Sequence, residues 1–366
     1  MRNFFKKIHL WLSLPAGIII TIVCLTGSIL VFENEIFELC YPERYYAEEA
    51  EGKPLSLEKL IPIVNSQLDT CSIAGVKIFS DPKRTYAMSL DKGFRVTAFV
   101  NQYTGKVTGI YSFRDSPFYP VMSLHRWLMD GTRTWGKYTV GISTILFVII
   151  LLTGIFTWIP RNRKKWKNKL TVKLRSGKKR FFYDLHTVVS IYACILLLLC
   201  SLTGLMWSFE WYRNGVMKLF GADTTKQEGG HHSKRGVRGE NSDKMKLNVL
   251  HWETAIKSLK TDNEYVNIQA GSMTVLQKSA PHLRATDKYT FDNKSGEITK
   301  AVLYSDLEAP SKVMGWAYVL HTGAYGGFVM KLVTCIASLI GASLPLTGYY
   351  IFYRKRRKKK RKLQAT

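Results

Sequence analysis

Four stretches of this chain contain no charged side chain: residues 10–32, 138–160, 187–209 and 332–353. Each is 22 or 23 residues long. About 20 apolar residues in a helix cross the hydrocarbon core of a bilayer, so these stretches are predicted as four transmembrane helices. A soluble domain has no use for such runs. The first is too long for the apolar region of a signal peptide, and the chain continues through VFENEIFELCY without a small-residue cleavage site.

Charge sets the expected orientation. The formal net charge is +26, and it is unevenly spread. Segment 161–180 carries eleven Lys/Arg and no acid, residues 354–362 are basic at every position, and the N-terminus adds Arg2, Lys6 and Lys7. The long segments 33–137 and 210–331 hold nearly all the acids. Positive segments resist translocation, so both termini and the 161–180 loop are expected in the cytoplasm, with two extracytoplasmic segments. A basic tail beside a membrane helix reads as a topology signal and a contact for anionic lipid, and no nucleic-acid partner is expected. Of six cysteines, Cys24, Cys194, Cys200 and Cys335 lie in apolar runs and are read as packing residues. Cys40 and Cys71 share the first extracytoplasmic segment, where a disulfide is permitted; the spacing leaves their pairing open.

The chain also repeats itself. Residues 4–18, FFKKIHLWLSLPAGI, and 181–195, FFYDLHTVVSIYACI, both open on a Phe pair with a His five residues after the first Phe. Leu25-Thr26-Gly27 in the first run recurs as Leu202-Thr203-Gly204 in the third. Leu152-Thr153-Gly154 in the second recurs as Leu346-Thr347-Gly348 in the fourth. Each half therefore reads as a helix, an outside domain and a returning helix. Within the first outside segment, 56–68 has helical apolar spacing, and GVKIF, TYAMSL and FRVTAFVNQYTGKVTGIYS alternate as strands. The second offers a helix over 249–260, then EYVNIQA, TVLQKS and KYTFDNKSGEITKAVLYS. FVNQYTGKV aligns with FDNKSGEI, so each segment is expected to form a helix with a small antiparallel sheet. The Gly-rich polar stretch TTKQEGGHHSKRGVRGENSDK between them reads as a loop.

Helix-plus-sheet segments ending in FVNQYTGKVTG, with SLHRWL before the second helix and LLTGIFTWIPR at its end, resemble the PepSY-associated transmembrane family. The resemblance covers nearly the whole chain. It implies a four-helix transmembrane bundle with two α+β PepSY-like domains, an internal duplication and a bacterial inner-membrane location. The layout is an N-terminus and first span over 1–32, a PepSY-like periplasmic domain over 33–120, and a histidine segment with the second span over 121–160. A basic cytoplasmic loop over 161–184 and the third span over 185–209 follow. The second PepSY-like domain then covers 210–318, a histidine segment with the fourth span 319–353, and the basic tail 354–366.

Some members resemble ferric-siderophore reductases with two b-type haems, and the histidines of this chain suit that chemistry. His9, His125, His186 and His321 precede the four apolar runs, His9 and His186 at the expected cytoplasmic face and His125 and His321 at the outer face. Two imidazoles from facing helices can ligate one haem iron from both sides. Gly27 lies 18 residues beyond His9, roughly 27 Å along a helix, which brings it to the level of the outer pair. Gly27 and Gly204 are accordingly expected beside an outer haem, and Gly154 and Gly348 beside an inner one. Arg126, with Arg133 and Lys137, is placed to meet outer propionates. Each residue has a plainer reading as well: boundary histidines as interfacial groups, Thr-Gly pairs as helix-packing sites, basic residues as snorkelling side chains. His231-His232 reads as part of the polar loop, and His251 and His282 as domain residues.

The leading expectation is a haem-dependent oxidoreductase that passes electrons from a separate cytoplasmic donor to a ferric siderophore or other iron chelate. The chain shows no GxGxxG segment, so no flavin or NAD site is expected in it. A non-enzymatic PepSY binding or sensing protein is the alternative, and an iron or siderophore importer a weaker one. The topology is directly testable. A reporter fused after Thr366 should be active only if it is one that works in the cytoplasm; periplasmic activity there would reverse the assignment of every segment.

Overall fold

A computed structural model describes residues 1–48, 52–68, 71–160, 162, 166–173, 177–222, 251–259 and 262–364. The His231-His232 pair and the Gly-rich stretch around it lie outside the described residues. Among the described residues, four helices are long and apolar enough to cross a membrane. They are α1 (Arg2–Leu30), α4 (Trp135–Trp158), α5 (Lys178–Ser208) and α8 (Gly327–Leu363). The last runs well past its apolar stretch into the basic tail, as straight-chain Lys and Arg lose little freedom in a helix. Ahead of α4 and α8 stand two shorter helices, α3 (Phe118–Trp127) and α7 (Ala309–Thr322), which carry His125 and His321.

The four long helices form one bundle in which α1 and α5 each pack beside both α4 and α8. Alanines and aliphatic side chains, with one phenylalanine, fill much of its core: Ala16 and Ile20 of α1, Phe147 and Ile150 of α4, Ala193 and Leu197 of α5, Ala337 and Leu344 of α8. Large apolar side chains such as Trp11, Phe156, Ile195 and Leu346 stay exposed, as a lipid-facing surface requires.

The second structural unit, Glu33–Tyr119 with Met217–Trp316, departs from the expected pair of separate domains. All predicted strands are present: β1 (Ile73–Phe79), β2 (Tyr86–Leu90), β3 (Val96–Val100) and β4 (Val107–Ser112), then β5 (Asn263–Gln269), β6 (Ser272–Gln277), β7 (Thr286–Phe291) and β8 (Ile298–Val302). They join into a single eight-stranded antiparallel sheet of order β4-β3-β2-β1-β5-β6-β7-β8. The seam is the β1–β5 pair, with Val76 opposite Ile268. Two isolated four-stranded sheets would each leave that edge unpaired, and joining them satisfies both rows of backbone groups. The register puts Val76 and Ile268 on the core face; a slip of one residue would turn Lys77 inward instead.

One hydrophobic core therefore serves both halves. Helix α2 (Leu57–Asn65) contributes Leu60 and Val64, and helix α6 (251–257) contributes Trp252 and Ala255, against Val76, Met88, Ile268 and Val275 of the sheet. Glu253 of α6 accepts a hydrogen bond from the Leu57 amide, an orphan donor at the start of α2. The matched hairpins turn alike. Gly105 and Gly296 both have positive φ, and each donates its N–H to the carbonyl four residues back, Asn101 and Asp292 respectively, at 2.8 Å. A side chain at Gly105 would strike Ile63 of α2, and one at Gly296 the His251 carbonyl of α6, so each turn is tucked under its own helix. Cys40 and Cys71 are both free, with no disulfide between them.

If the sheet is one cooperative unit, Ile268→Ala should destabilise it throughout, by about 2–5 kcal/mol for a fully buried aliphatic side chain. Amide exchange should then quicken in both 73–112 and 263–302. Loss of protection confined to 263–302 would show two independently folding halves.

Candidate functional site

The four bundle histidines are held in one repeated way. His9 Nδ1 lies 3.0 Å from the Ile150 carbonyl and 3.3 Å from Thr153 Oγ1. His125 Nδ1 lies 2.9 Å from the Val23 carbonyl and 3.2 Å from Thr26 Oγ1. His186 meets Leu344 and Thr347 at 3.1 and 3.0 Å, and His321 meets Cys200 and Thr203 at 2.9 and 3.1 Å. A carbonyl can only accept, so Nδ1–H is the donor at all four. Each threonine hydroxyl is already donating to its own helix, to Ile149, Ile22, Ser343 and Leu199 respectively, and its oxygen is left to share the imidazole proton. A neutral imidazole protonated on Nδ1 presents its lone pair on Nε2.

The Leu-Thr-Gly segments are the other half of this arrangement. The accepting carbonyl is always four residues before the glycine: Ile150 before Gly154, Val23 before Gly27, Leu344 before Gly348, Cys200 before Gly204. In an α-helix the carbonyl of residue i points at residue i+4, so a glycine there clears the path to it. The rings use that clearance. A Cβ added at Gly27 would come within 3.0 Å of His125 Cε1, at Gly204 within 3.2 Å of His321, at Gly348 within 3.3 Å of His186, and at Gly154 within 3.4 Å of His9. Each of the four glycines lies against the edge of a histidine ring at its own end of the bundle.

These clamps lie within each repeat, whereas the histidines pair across repeats. His9 of α1 is clamped by α4 and His125 by α1; His186 of α5 is clamped by α8 and His321 by α5. Yet the His9 ring faces His186, with centroids 6.2 Å apart and planes at 86°. The His125 ring faces His321, also at 6.2 Å, with planes at 60°. Because Gly154 meets His9 while Gly27 meets His125, the two pairs occupy opposite ends of the bundle. Among the described residues, no three His, Cys, Asp or Glu side chains gather to hold a bare metal ion.

Local backbone features deliver the rings. Residues Leu185–Val189 form a π-helical turn, and His186 sits on it; such turns rotate a helix face locally and recur at functional sites. On the other side, His125 precedes a reversal into α4 in which Leu128, Met129 and Arg133 all take positive φ. Asp130 holds that reversal by accepting the N–H groups of Thr132, Thr134 and Gly136. Gly136 is obligatory there, since a Cβ would fall 1.9 Å from the Trp127 carbonyl oxygen. Arg126 lies over the Trp127 ring at 5.5 Å, and its charge reaches both His125 and His321. Arg133 covers the same ring at 4.4 Å.

The His9/His186 pair opens into a cavity of about 460 Å³, within the range of small-molecule and cofactor sites. Gly154, Gly348, Arg2, Lys6 and Lys355 line it. So does Asp184, fully buried and ion-paired with Arg180 at 2.9 Å. The threonines, read in the sequence only as partners of the glycines, complete the site together with the π-helical turn, Asp130 and Trp207, whose ring lies 5.4 Å from His321. Only the threonines carried a readable signal, through their fourfold repetition beside glycine. His282 stands apart, buried against Trp316 with Nε2 3.0 Å from the Tyr304 hydroxyl, and burial holds its pKa below the usual range.

A family model described as the PepSY-associated TM region matches residues 6–356, nearly the whole chain. No curated protein matches it.

The clamp geometry predicts a graded response to alanine. Gly27→Ala should cost about 1–3 kcal/mol through overpacking against His125. Gly154→Ala, meeting His9 at ordinary van der Waals distance, should be neutral or slightly stabilising, since alanine gains up to about 1 kcal/mol in helix propensity. Thermal denaturation of the two variants, with the histidine Cε1–H resonances followed by NMR, gives the comparison; equal effects would contradict the clamp.

Proposed function

The chain belongs to the PepSY-associated transmembrane-region family, and from that membership and its two histidine pairs we propose that it is a di-haem b membrane oxidoreductase. It moves electrons from a separate cytoplasmic donor to an acceptor on the other side, with a ferric siderophore or related iron chelate as the acceptor class. The bacterial inner membrane, with both termini inside, is the location consistent with the Lys/Arg distribution.

The observation that carries this reading is the 6.2 Å separation of both ring pairs. A first-row metal holds an imidazole nitrogen at about 2 Å, and the ring centre lies roughly one ångström further. Two rings on opposite sides of one iron therefore have centres about 6 Å apart. Both pairs meet that spacing with Nδ1 tied back and Nε2 available. Two imidazoles alone are too few ligands for a bare ion; a porphyrin supplies the remaining four nitrogens. His9 and His186 would hold one haem, His125 and His321 the other. Bound haem supplies one-electron chemistry whose potential responds to axial ligands, hydrogen bonding and burial.

The chain's own residues set those conditions. The Nδ1–H donation to a backbone carbonyl keeps each imidazole in one tautomer and raises its basicity toward a metal. The glycines let each ring settle against the neighbouring helix, which fixes its rotation. The apolar core between the two ends excludes water from the space that separates the pairs. A chelate is the acceptor class proposed because ferric iron, on taking one electron, becomes the softer ferrous ion, which hard oxygen donors hold less tightly.

Purified protein should show b-type haem bands in a dithionite-reduced difference spectrum and bind two haems per chain. His9→Ala or His186→Ala should halve the haem content, as should His125→Ala or His321→Ala. Combining one variant from each pair should abolish it. Colourless protein from haem-replete cells would overturn the proposal, and loss of the same haem in His9→Ala and His321→Ala would overturn the pairing.

A further inference from the structure

The cavity beside His9 and His186 has a charged mouth that ligation by two imidazoles does not use. Arg2 and Lys6 come from the first turns of α1, Arg180 from the start of α5, and Lys355 from the far end of α8. Lys169 also lines it and donates to the Trp158 carbonyl. Among the described lining residues the single acid, Asp184, is already engaged with Arg180 and with the Lys173 amide at 3.0 Å. Lys6 and Lys355 make no ion pair among the described residues. Basic residues at a membrane boundary are common, and exposed lysines alone would signify only snorkelling.

Two buried donors distinguish this mouth from an ordinary basic rim. Arg2 lines the cavity with its Nη2 donating to the Thr157 carbonyl at 2.5 Å, while its buried Nε–H has no acceptor among the described residues. Trp158, the next residue along α4, lines the same cavity, and its buried indole Nε1–H also has no acceptor among the described residues. Buried N–H groups are almost always paired, because an unmade hydrogen bond forfeits the water it displaced. Here two donors with no acceptor, and the charges of Arg2, Lys6 and Lys355 with no acid to meet them among the described residues, surround one opening. They call for an anionic oxygen ligand, and the N–H edge of a guanidinium matches the planar fork of a carboxylate.

Building on the haem reading, we infer that Arg2 and Trp158, supported by Lys6 and Lys355, bind the carboxylates of a dicarboxylate tetrapyrrole whose ring enters between His9 and His186. The consequence is directional. The carboxylate edge of the plate faces the basic end of the bundle and its apolar edge faces the core, so the site selects one way in. The charge at the mouth also makes acid groups on the ring a condition of tight binding, separate from iron ligation.

The test uses the full-length protein in detergent, freed of haem and carrying His125→Ala so that only this cavity is read. Iron protoporphyrin and its dimethyl ester are titrated by absorbance. The diacid should bind about tenfold or more tightly than the diester, the size expected when charge-assisted hydrogen bonds are lost. Trp158→Phe, which removes the N–H and keeps an aromatic ring, should shrink that ratio several-fold, and Arg2→Gln should shrink it further, the loss falling mainly on the diacid because an ester carbonyl accepts a hydrogen bond without the added charge. Equal binding of diacid and diester, or a ratio that neither variant alters, would overturn the inference while leaving the histidine ligation standing. Failure of both compounds to bind at all would overturn the haem reading together with it.

Discussion

The bond on which the bundle's arrangement depends is the donation of a histidine Nδ1–H into a helix carbonyl that a glycine has uncovered. It occurs four times, at Ile150, Val23, Leu344 and Cys200, with a threonine oxygen sharing the proton each time. In a low-dielectric interior an unpaired imidazole N–H would be costly, and a carbonyl with a spare lone pair is the acceptor every helix carries. The bond fixes three things at once: the ring's tautomer, its rotation, and the register between the helix bearing the histidine and the helix bearing the glycine. A threonine one position before the glycine adds a second acceptor without asking for a proton of its own, since it donates its hydroxyl hydrogen to the preceding turn.

From that bond follows the division of labour between the repeats. Each repeat clamps its own two histidines, one by α4 or α8 and the other by α1 or α5. Neither repeat can complete a pair, because the facing imidazoles come from opposite repeats. A duplicated half-site is a natural way to build a two-sided ligand: any plate between the rings meets nearly the same chemistry from both directions. The two ends differ in what surrounds the pair. Among the described residues, five cations and an engaged carboxylate border the His9/His186 cavity, while Arg126 and Trp207 adjoin the other pair.

The sheet unit repeats this logic in a different material. Each half carries a helix, a four-stranded meander and a glycine turn tucked under the helix, yet the core is common property. Trp252 and Leu60 come from different halves and belong to one hydrophobic cluster. Edge-to-edge pairing of β1 with β5 explains why: both strands are buried on the helix face and would be exposed on a long free edge if the halves stood apart.

Much of this is legible in the order of residues alone. Hydrocarbon thickness converts directly into run length, so the four spans can be counted from residues 10–32, 138–160, 187–209 and 332–353. Alternation finds the eight strands, and the repeated His and Leu-Thr-Gly segments identify the residues that come together at each end. The sequence does not say what the glycines touch, because depth along a helix locates a residue's level and leaves its facing undecided. It carries no sign of the π-helical turn at Leu185–Val189, the Asp130-held reversal, or the Arg2 and Trp158 donors, which depend on how separate helices meet. Nor does it tell one shared sheet from two, since strand alternation records which face is buried and holds no record of which strand lies next to it. Period and length are local properties that a linear chain preserves. Which edge pairs with which, and which ring faces which, are decided only when distant segments compete for the same hydrogen bonds and the same apolar surface.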